Sequence, residues 1–133
     1  MPCDNYDTLL TEQRGAALWV TLNRPESLNT LTSTMIDELL RLFTALERDR
    51  EVRVVVLRGA GRAFCAGLDL KDLLPRLESM AAPEVLDLQR RLSRVILAMR
   101  RADAAGPVLV VSGINLVPFP PTSRIAFDIS LIN

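Results

Sequence analysis

The stretch Val52–Asp72, V-R-V-V-V-L-R-G-A-G-R-A-F-C-A-G-L-D-L-K-D, runs from an apolar segment into glycines and small residues. Small residues at such a corner let the polar atoms of another molecule approach the backbone closely. Where a helix opens there, its first N–H groups have no intrahelical partner and can meet an oxyanion or a phosphate. On spacing alone, an ordinary βα loop with a glycine-rich corner accounts for the same residues. Gly59-Ala60-Gly61 lacks the third glycine of a dinucleotide fingerprint and the Gly-Lys-Ser/Thr of a phosphate loop.

Side-chain chemistry is narrowed by what the chain lacks. It has no histidine, which removes Ser-His and Cys-His nucleophiles and the usual base near neutral pH. Catalysis would have to rest on carboxylates or backbone groups. Asp69, Asp72, Glu78 and Glu84 lie near the loop in sequence and read as helical or capping charges, so no base is assigned. Asp69, just after Gly67, is placed to cap the following helix. Cys3 and Cys65 have neither metal-ligand spacing nor the pattern of a disulfide framework; Cys65 reads as a small packed residue.

Thr8–Gln13 and Ala16–Asn23 read as strands joined at Arg14-Gly15, and Arg24-Pro25 ends the ladder. Met35, Ile36, Leu39, Leu40, Phe43 and Leu46 recur at helical spacing over Ser33 to about Arg48, with Glu38, Arg41, Glu47 and Arg48 mostly outward. Thr32, Ser33 or Thr34 caps it, and Thr34 with Asp37 has the form of a capping box. The continuous apolar run Val54–Leu57 suits a strand covered on both faces, within Val52–Arg58. Short helix is expected over Asp69–Leu77 and a long one over Pro83–Arg101, burying Leu86, Leu88, Leu92, Val95, Ile96 and Met99. Pro107–Ser112 reads as a buried strand. Pro118, Pro120 and Pro121 around Phe119 break regular structure, and Arg124–Ile132 has strand character. Strand, helix, strand gives a βαβ crossover, so the expected class is α/β, as one domain over residues 1–133.

At 133 residues, 49% of them hydrophobic, the chain is long and apolar enough for a core. Sixteen basic residues balance sixteen acidic ones, which argues against a nucleic-acid or anionic-membrane partner. The apolar runs fall far short of the roughly 18 residues of a membrane span. The polar, acidic amino terminus is unlike a secretory signal, and the cytoplasm is the expected compartment.

Leu22–Leu31, L-N-R-P-E-S-L-N-T-L, then the helix with Met35 and Glu38-Leu39-Leu40, then Val52–Leu70, resemble the crotonase (enoyl-CoA hydratase/isomerase) pattern element by element. The match covers about residues 8–111, leaving 112–133 as a divergent tail. The resemblance implies a crotonase-like fold of ββα turns, incomplete at its carboxy end, and an acyl-CoA thioester as ligand. Hydration or isomerisation of an enoyl-CoA is the activity implied. No cofactor is expected beyond the coenzyme A of the substrate, and no metal. It implies that the Ala66 backbone N–H is one of two oxyanion donors. Backbone groups around Ala63, Ala66, Gly67, Leu68 and Asp69 would line the coenzyme A site, and Arg24 would lie near its phosphates. The amides of Ala66 and Gly67 are then expected to face an open groove. In the family register the second donor's glycines fall on Pro118, Phe119 and Pro120, and a catalytic Glu on Thr122. The other family Glu lies past Asn133. The chain alone is therefore expected to lack hydratase turnover, and to act as an acyl-CoA binder, a homo-oligomer or an associate of crotonase subunits, or to be an inactive truncated product.

Overall fold

The computed structural model describes residues 5–105, 108–112 and 126–128, with side chains described for 5–102. Strands β1 (Leu9–Arg14) and β2 (Ala17–Leu22) form the antiparallel hairpin. Gly15 at its turn has φ +58°, a left-handed conformation that glycine enters without a Cβ penalty. A single 3-10 turn, Pro25–Ser27, precedes helix α1 (Ser33–Leu46). Strand β3 (Val54–Gly59), helices α2 (Leu70–Ser79) and α3 (Ala82–Ala105), then strands β4 (Val108–Ser112) and β5 (Ala126–Asp128) follow. The five strands lie in chain order, β1-β2-β3-β4-β5, and every pair after the first is parallel. The α/β class expected from the sequence is what forms.

The core is built by the two periodicities. Leu18, Val20 and Leu22 alternate along β2, and Val55 and Leu57 along β3, onto one face of the sheet. Met35, Ile36, Leu39, Leu42, Phe43 and Leu46 of α1 meet them there, with Leu88, Val95, Ala98 and Ala102 of α3. On the reverse face Val56 is also buried, while Trp19 is half-buried with Arg14 and Arg58 guanidiniums 5.3 and 5.1 Å from its ring centroid. The continuous apolar run of β3 thus serves both faces, but in β1 and β2 the second face is polar and partly open.

Several expectations are corrected. Glu38 does not face outward. It is buried, accepting the Asp7 N–H at 2.6 Å, the Thr8 N–H at 3.0 Å and the Thr8 hydroxyl, and so ties the start of β1 to α1. Thr32 is the cap of α1, accepting the Met35 N–H at 3.2 Å, and not the Thr34–Asp37 pair. In α3, Leu86 and Ile96 are more than half exposed, because the stripe that meets α1 passes through Leu88, Val95, Ala98 and Ala102. The tail positions Pro118, Phe119, Pro120 and Thr122 lie outside the described residues, as does Pro107. Ala126–Asp128 pairs with β4 through Val110 and Ala126, inside the span read as a strand. No helix among the described residues is long and apolar enough to cross a membrane.

Candidate functional site

Because β2 and β3 are parallel with Leu22 opposite Gly59, the loops that follow them leave the sheet side by side. The first, Asn23–Thr32, is pinned to the second, Ala60–Asp69, by a ladder of bonds. Ala60 N–H donates to Leu22 C=O (2.8 Å), Ala66 N–H to Leu28 C=O (3.0 Å), Leu31 N–H to Gly67 C=O (2.8 Å) and Asp69 N–H to Leu31 C=O (2.9 Å). Leu31 and Leu68 are thereby paired as a parallel bridge.

The side chain at the centre of this ladder is Asn29, fully buried and at φ +54°. Its Oδ1 accepts the Arg24 N–H, and its Nδ2 donates to both Ala60 C=O and Ala63 C=O, each at 2.8 Å. Sequence reasoning missed this residue. The available signal was an Asn in a short loop, since Asn is among the few side chains that tolerate the left-handed region. Gly59 is required by packing: a Cβ there would lie 2.3 Å from Ala63 O and 2.5 Å from Phe64 O. Gly67 is different. It has φ +100°, and a Cβ would meet nothing within 4 Å, so the chain needs glycine there for conformation while the space beside it is open.

The bond pattern decides which amides are presented. Leu31 takes Gly67 C=O and Asp69 N–H, the groups flanking Leu68 on one side. In a parallel pairing the intervening residue then turns its own N–H away from that partner. Among the described residues neither the Gly67 nor the Leu68 N–H meets an acceptor, and residues 66–68 are exposed. The expectation for Ala66 is therefore corrected: its N–H is consumed by Leu28 C=O, because segment 28–31 runs alongside it. The Gly67 N–H is not consumed by an internal bond, and neither is that of Leu68.

Arg24 also takes a different place from the one expected. Its Nη1 donates to Thr30 C=O (2.8 Å), to Thr30 Oγ1 (3.3 Å) and to Asp69 Oδ2 (3.0 Å). With only a fifth of the side chain exposed, its charge faces Asp69 and not solvent. Asp69 does cap α2: Oδ1 accepts the Asp72 N–H at 3.1 Å, while Oδ2 also accepts the Thr30 hydroxyl at 2.9 Å. The Asp72 N–H, then Thr30, hold its carboxyl below the usual range; burial works the other way, and Arg24 adds to the lowering. Asp72 in turn accepts the Ser33 N–H at 3.0 Å, joining α2 to the start of α1. Ala63 is half-buried with its carbonyl held by Asn29, and Cys65 is half-buried against the core.

Leu68 on the loop and Leu70 and Leu74 on α2 are each 43 to 59% exposed. A cleft of about 650 Å³ lies between α2 and α3 at Arg76, Met80, Asp87 and Arg91, and one of about 450 Å³ between β1, β2 and Gly59–Gly61. Neither is lined by residues 63–69. Among the described residues no group of three His, Cys, Asp or Glu side chains is placed to hold a metal ion.

Comparison with known proteins finds a match to the family described as enoyl-CoA hydratase/isomerase over residues 12–110. A probable 3-hydroxyisobutyryl-CoA hydrolase from Arabidopsis thaliana is 45% identical over 69 residues, 52% of this chain and 18% of that protein. A probable enoyl-CoA hydratase from Rhizobium meliloti is 42% identical over 69 residues, 52% of this chain and 27% of that protein. The crystal structure of a putative enoyl-CoA hydratase from Streptomyces coelicolor superposes with a TM-score of 0.75 at 32% identity, covering 84% of this chain and 39% of that one. The matched segments thus span well under half the length of these proteins.

Proposed function

Starting from the enoyl-CoA hydratase/isomerase family, to which this chain belongs, we propose that it binds an acyl-coenzyme A with the thioester carbonyl at the Gly67 and Leu68 amides. The observation that carries this reading is that these two N–H groups are exposed and meet no acceptor among the described residues, while the flanking Ala66 and Asp69 N–H groups are both bonded to the neighbouring loop. A backbone donor within reach of the thioester oxygen polarises the carbonyl and stabilises the oxyanion that develops on it, and one such donor is worth about 2.7–4 kcal/mol of barrier. The assignment moves the donor from Ala66 to Leu68. The exposed Leu68, Leu70 and Leu74 suit the acyl chain.

The relatives' names include both hydratase and hydrolase, reactions that share an acyl-CoA thioester, and the proposal extends to that shared group. Turnover by the 133-residue chain is not expected. Asp69, the carboxylate next to the open amides, is occupied by Arg24, Thr30 and the Asp72 N–H, so it is not free to move a proton. Titration of crotonyl-CoA by calorimetry, with a hydration assay in parallel, tests both halves: submillimolar binding without turnover is expected. Absence of binding at millimolar ligand by a folded sample refutes the proposal.

A second reading, association with full-length crotonase subunits, is favoured by the polar, partly open reverse face of the hairpin, where Leu10, opposite Thr21, is 55% exposed. Sedimentation with and without such a subunit separates it from the first.

A further inference from the structure

The open amides sit on a peptide anchored at both ends, by Ala66 N–H on Leu28 and by Asp69 on Leu31, Thr30 and Arg24. Between those anchors lies Gly67, the residue with the widest conformational freedom. Its C=O accepts the Leu31 N–H at 2.8 Å, so the directions of the Gly67 and Leu68 N–H groups depend on how firmly the 30–31 segment and the two anchors are held. The amino-terminal anchor is a single backbone bond. The carboxy-terminal anchor is a charged one: a carboxylate only 10% exposed that accepts from a guanidinium, a hydroxyl and a helix N–H at once.

We propose that the Arg24–Asp69 ion pair is a positioning device for the Gly67 and Leu68 amides, acting on the bound thioester without touching the ligand. The inference rests on the acyl-CoA reading above for the identity of that ligand. A buried pair of this kind contributes little net stability once desolvation is counted. Its use here is orientation. The Gly67–Leu68 peptide that presents the Leu68 N–H is held by the Leu31 N–H on Gly67 C=O at 2.8 Å, and the Asp69 carboxylate, bonded to the Thr30 hydroxyl and to Arg24, holds the Thr30–Leu31 segment that supplies this bond. Arg24 carries that constraint to the neighbouring loop, where its own backbone N–H is held by Asn29. Donors aimed at a developing charge lose their effect steeply with small displacements, so a loosened anchor acts on the carbonyl rather than on the nucleotide end of the ligand.

Coenzyme A and crotonyl-CoA share every phosphate and differ at the thioester, which separates positioning from phosphate contact. The test measures Asp69→Asn, Arg24→Ala and Arg24→Lys, with Val95→Ala in α3 as a control that loses stability away from the loop. Amide resonances and hydrogen exchange of Gly67 and Leu68, read by NMR in the ligand-free chain, are expected to change in Asp69→Asn and Arg24→Ala and to stay put in the control. Crotonyl-CoA affinity is expected to fall about tenfold, the scale of one well-made hydrogen bond, with coenzyme A affinity within about twofold. Arg24→Lys, which keeps the charge without the fork, is expected to recover part of the loss and to remain folded if the other variants do not. Unchanged amide signals in the ion-pair variants overturn the proposal. Equal losses for both ligands in Arg24→Ala also overturn it and return Arg24 to the phosphates. If the parent chain binds neither ligand, the acyl-CoA reading fails, while the amide signals still decide the positioning role.

Discussion

The paired loops 23–32 and 60–69 and the helix α3 are both essential to the architecture, and they are held in opposite ways. The loops are joined by directional bonds at 2.8–3.0 Å, each between named partners, around one fully buried Asn and one mostly buried ion pair. Helix α3 is held mainly by an apolar stripe, Leu88, Val95, Ala98 and Ala102, whose contacts are non-directional. A surface ion pair from Arg91 to Asp37 of α1 adds to it at 3.1 Å. A loop that must present backbone groups to a ligand cannot be buried, so side-chain bonds replace the packing it forgoes. A helix that only closes the core has no such need. Substitutions should therefore act in steps in the loops and in proportion to burial in α3.

The largest effect is expected at Asn29. Asn29→Ala removes three bonds at once and leaves the Arg24 N–H and the carbonyls of Ala60 and Ala63 without partners. Each orphaned buried group costs about 1–3 kcal/mol, and the sum falls short of additive, so a loss of about 4 kcal/mol is expected in urea unfolding. Asn29→Asp should be as severe, because it sets a carboxylate oxygen against two carbonyls. A loss under about 1 kcal/mol for Asn29→Ala, the range of ordinary surface changes, would break the contrast between loop and helix.

Two glycines sharpen it further within the loops. Gly59→Ala forces backbone apart at Ala63 and Phe64 and is expected to cost about 3 kcal/mol, as overpacking does. Gly67→Ala meets no atom and should cost about 1–2 kcal/mol for its left-handed backbone alone. Ligand binding should rank the other way at matched folding, since only Gly67 lies on the presenting side. Thermal melts and crotonyl-CoA titration of both variants check the inversion.

Acidification probes the ion pair. The folded-state pKa of Asp69 is lowered, so near the ordinary carboxylate value of about 4 the unfolded chain binds more protons at this site than the folded one. Stability then rises with pH through that range. The contribution is full above the unfolded value and is lost as pH falls through the lowered one. Asp69→Asn should flatten this part of the acid limb in a Tm-versus-pH series. An unchanged slope would show that other carboxylates govern it.

How much of this was legible beforehand depended on whether the cause was local. The hairpin and α1 followed from apolar periodicity because one face of each meets the core, β3 and β4 followed from continuous apolar runs, and the cap at Asp69 followed from its place at a helix start. Glu38 and Asn29 were not legible as buried partners. Glu38 occupies a helical position that suits solvent equally well, and only the return of residues 7 and 8 in space turns it inward. That the Ala66 N–H is bonded while the Leu68 N–H is open depended on which side of the 63–69 segment the other loop would lie, a tertiary fact that spacing does not encode. The exposed Leu86 and Ile96 show the same limit, since apolar residues ring much of α3 and only the position of α1 selects the stripe that is used.

The smallest effects test the helix side of the comparison at adjacent residues. Val95 is 8% exposed and Ile96 is 61% exposed, one position apart on α3. Removing two methyl groups in Val95→Ala loses buried apolar area and leaves a void against α1, for about 2 kcal/mol. Ile96→Gln exchanges an already hydrated side chain for a polar one with good helix propensity, so its effect is expected within about 0.5 kcal/mol. If α3 is held by graded burial, urea midpoints should separate these neighbours by the first amount and leave the Gly67 and Leu68 amide signals untouched in both. A large loss for Ile96→Gln would mean that the outer side of α3 is covered, by another copy or another protein, and would shift attention from the loops to that face.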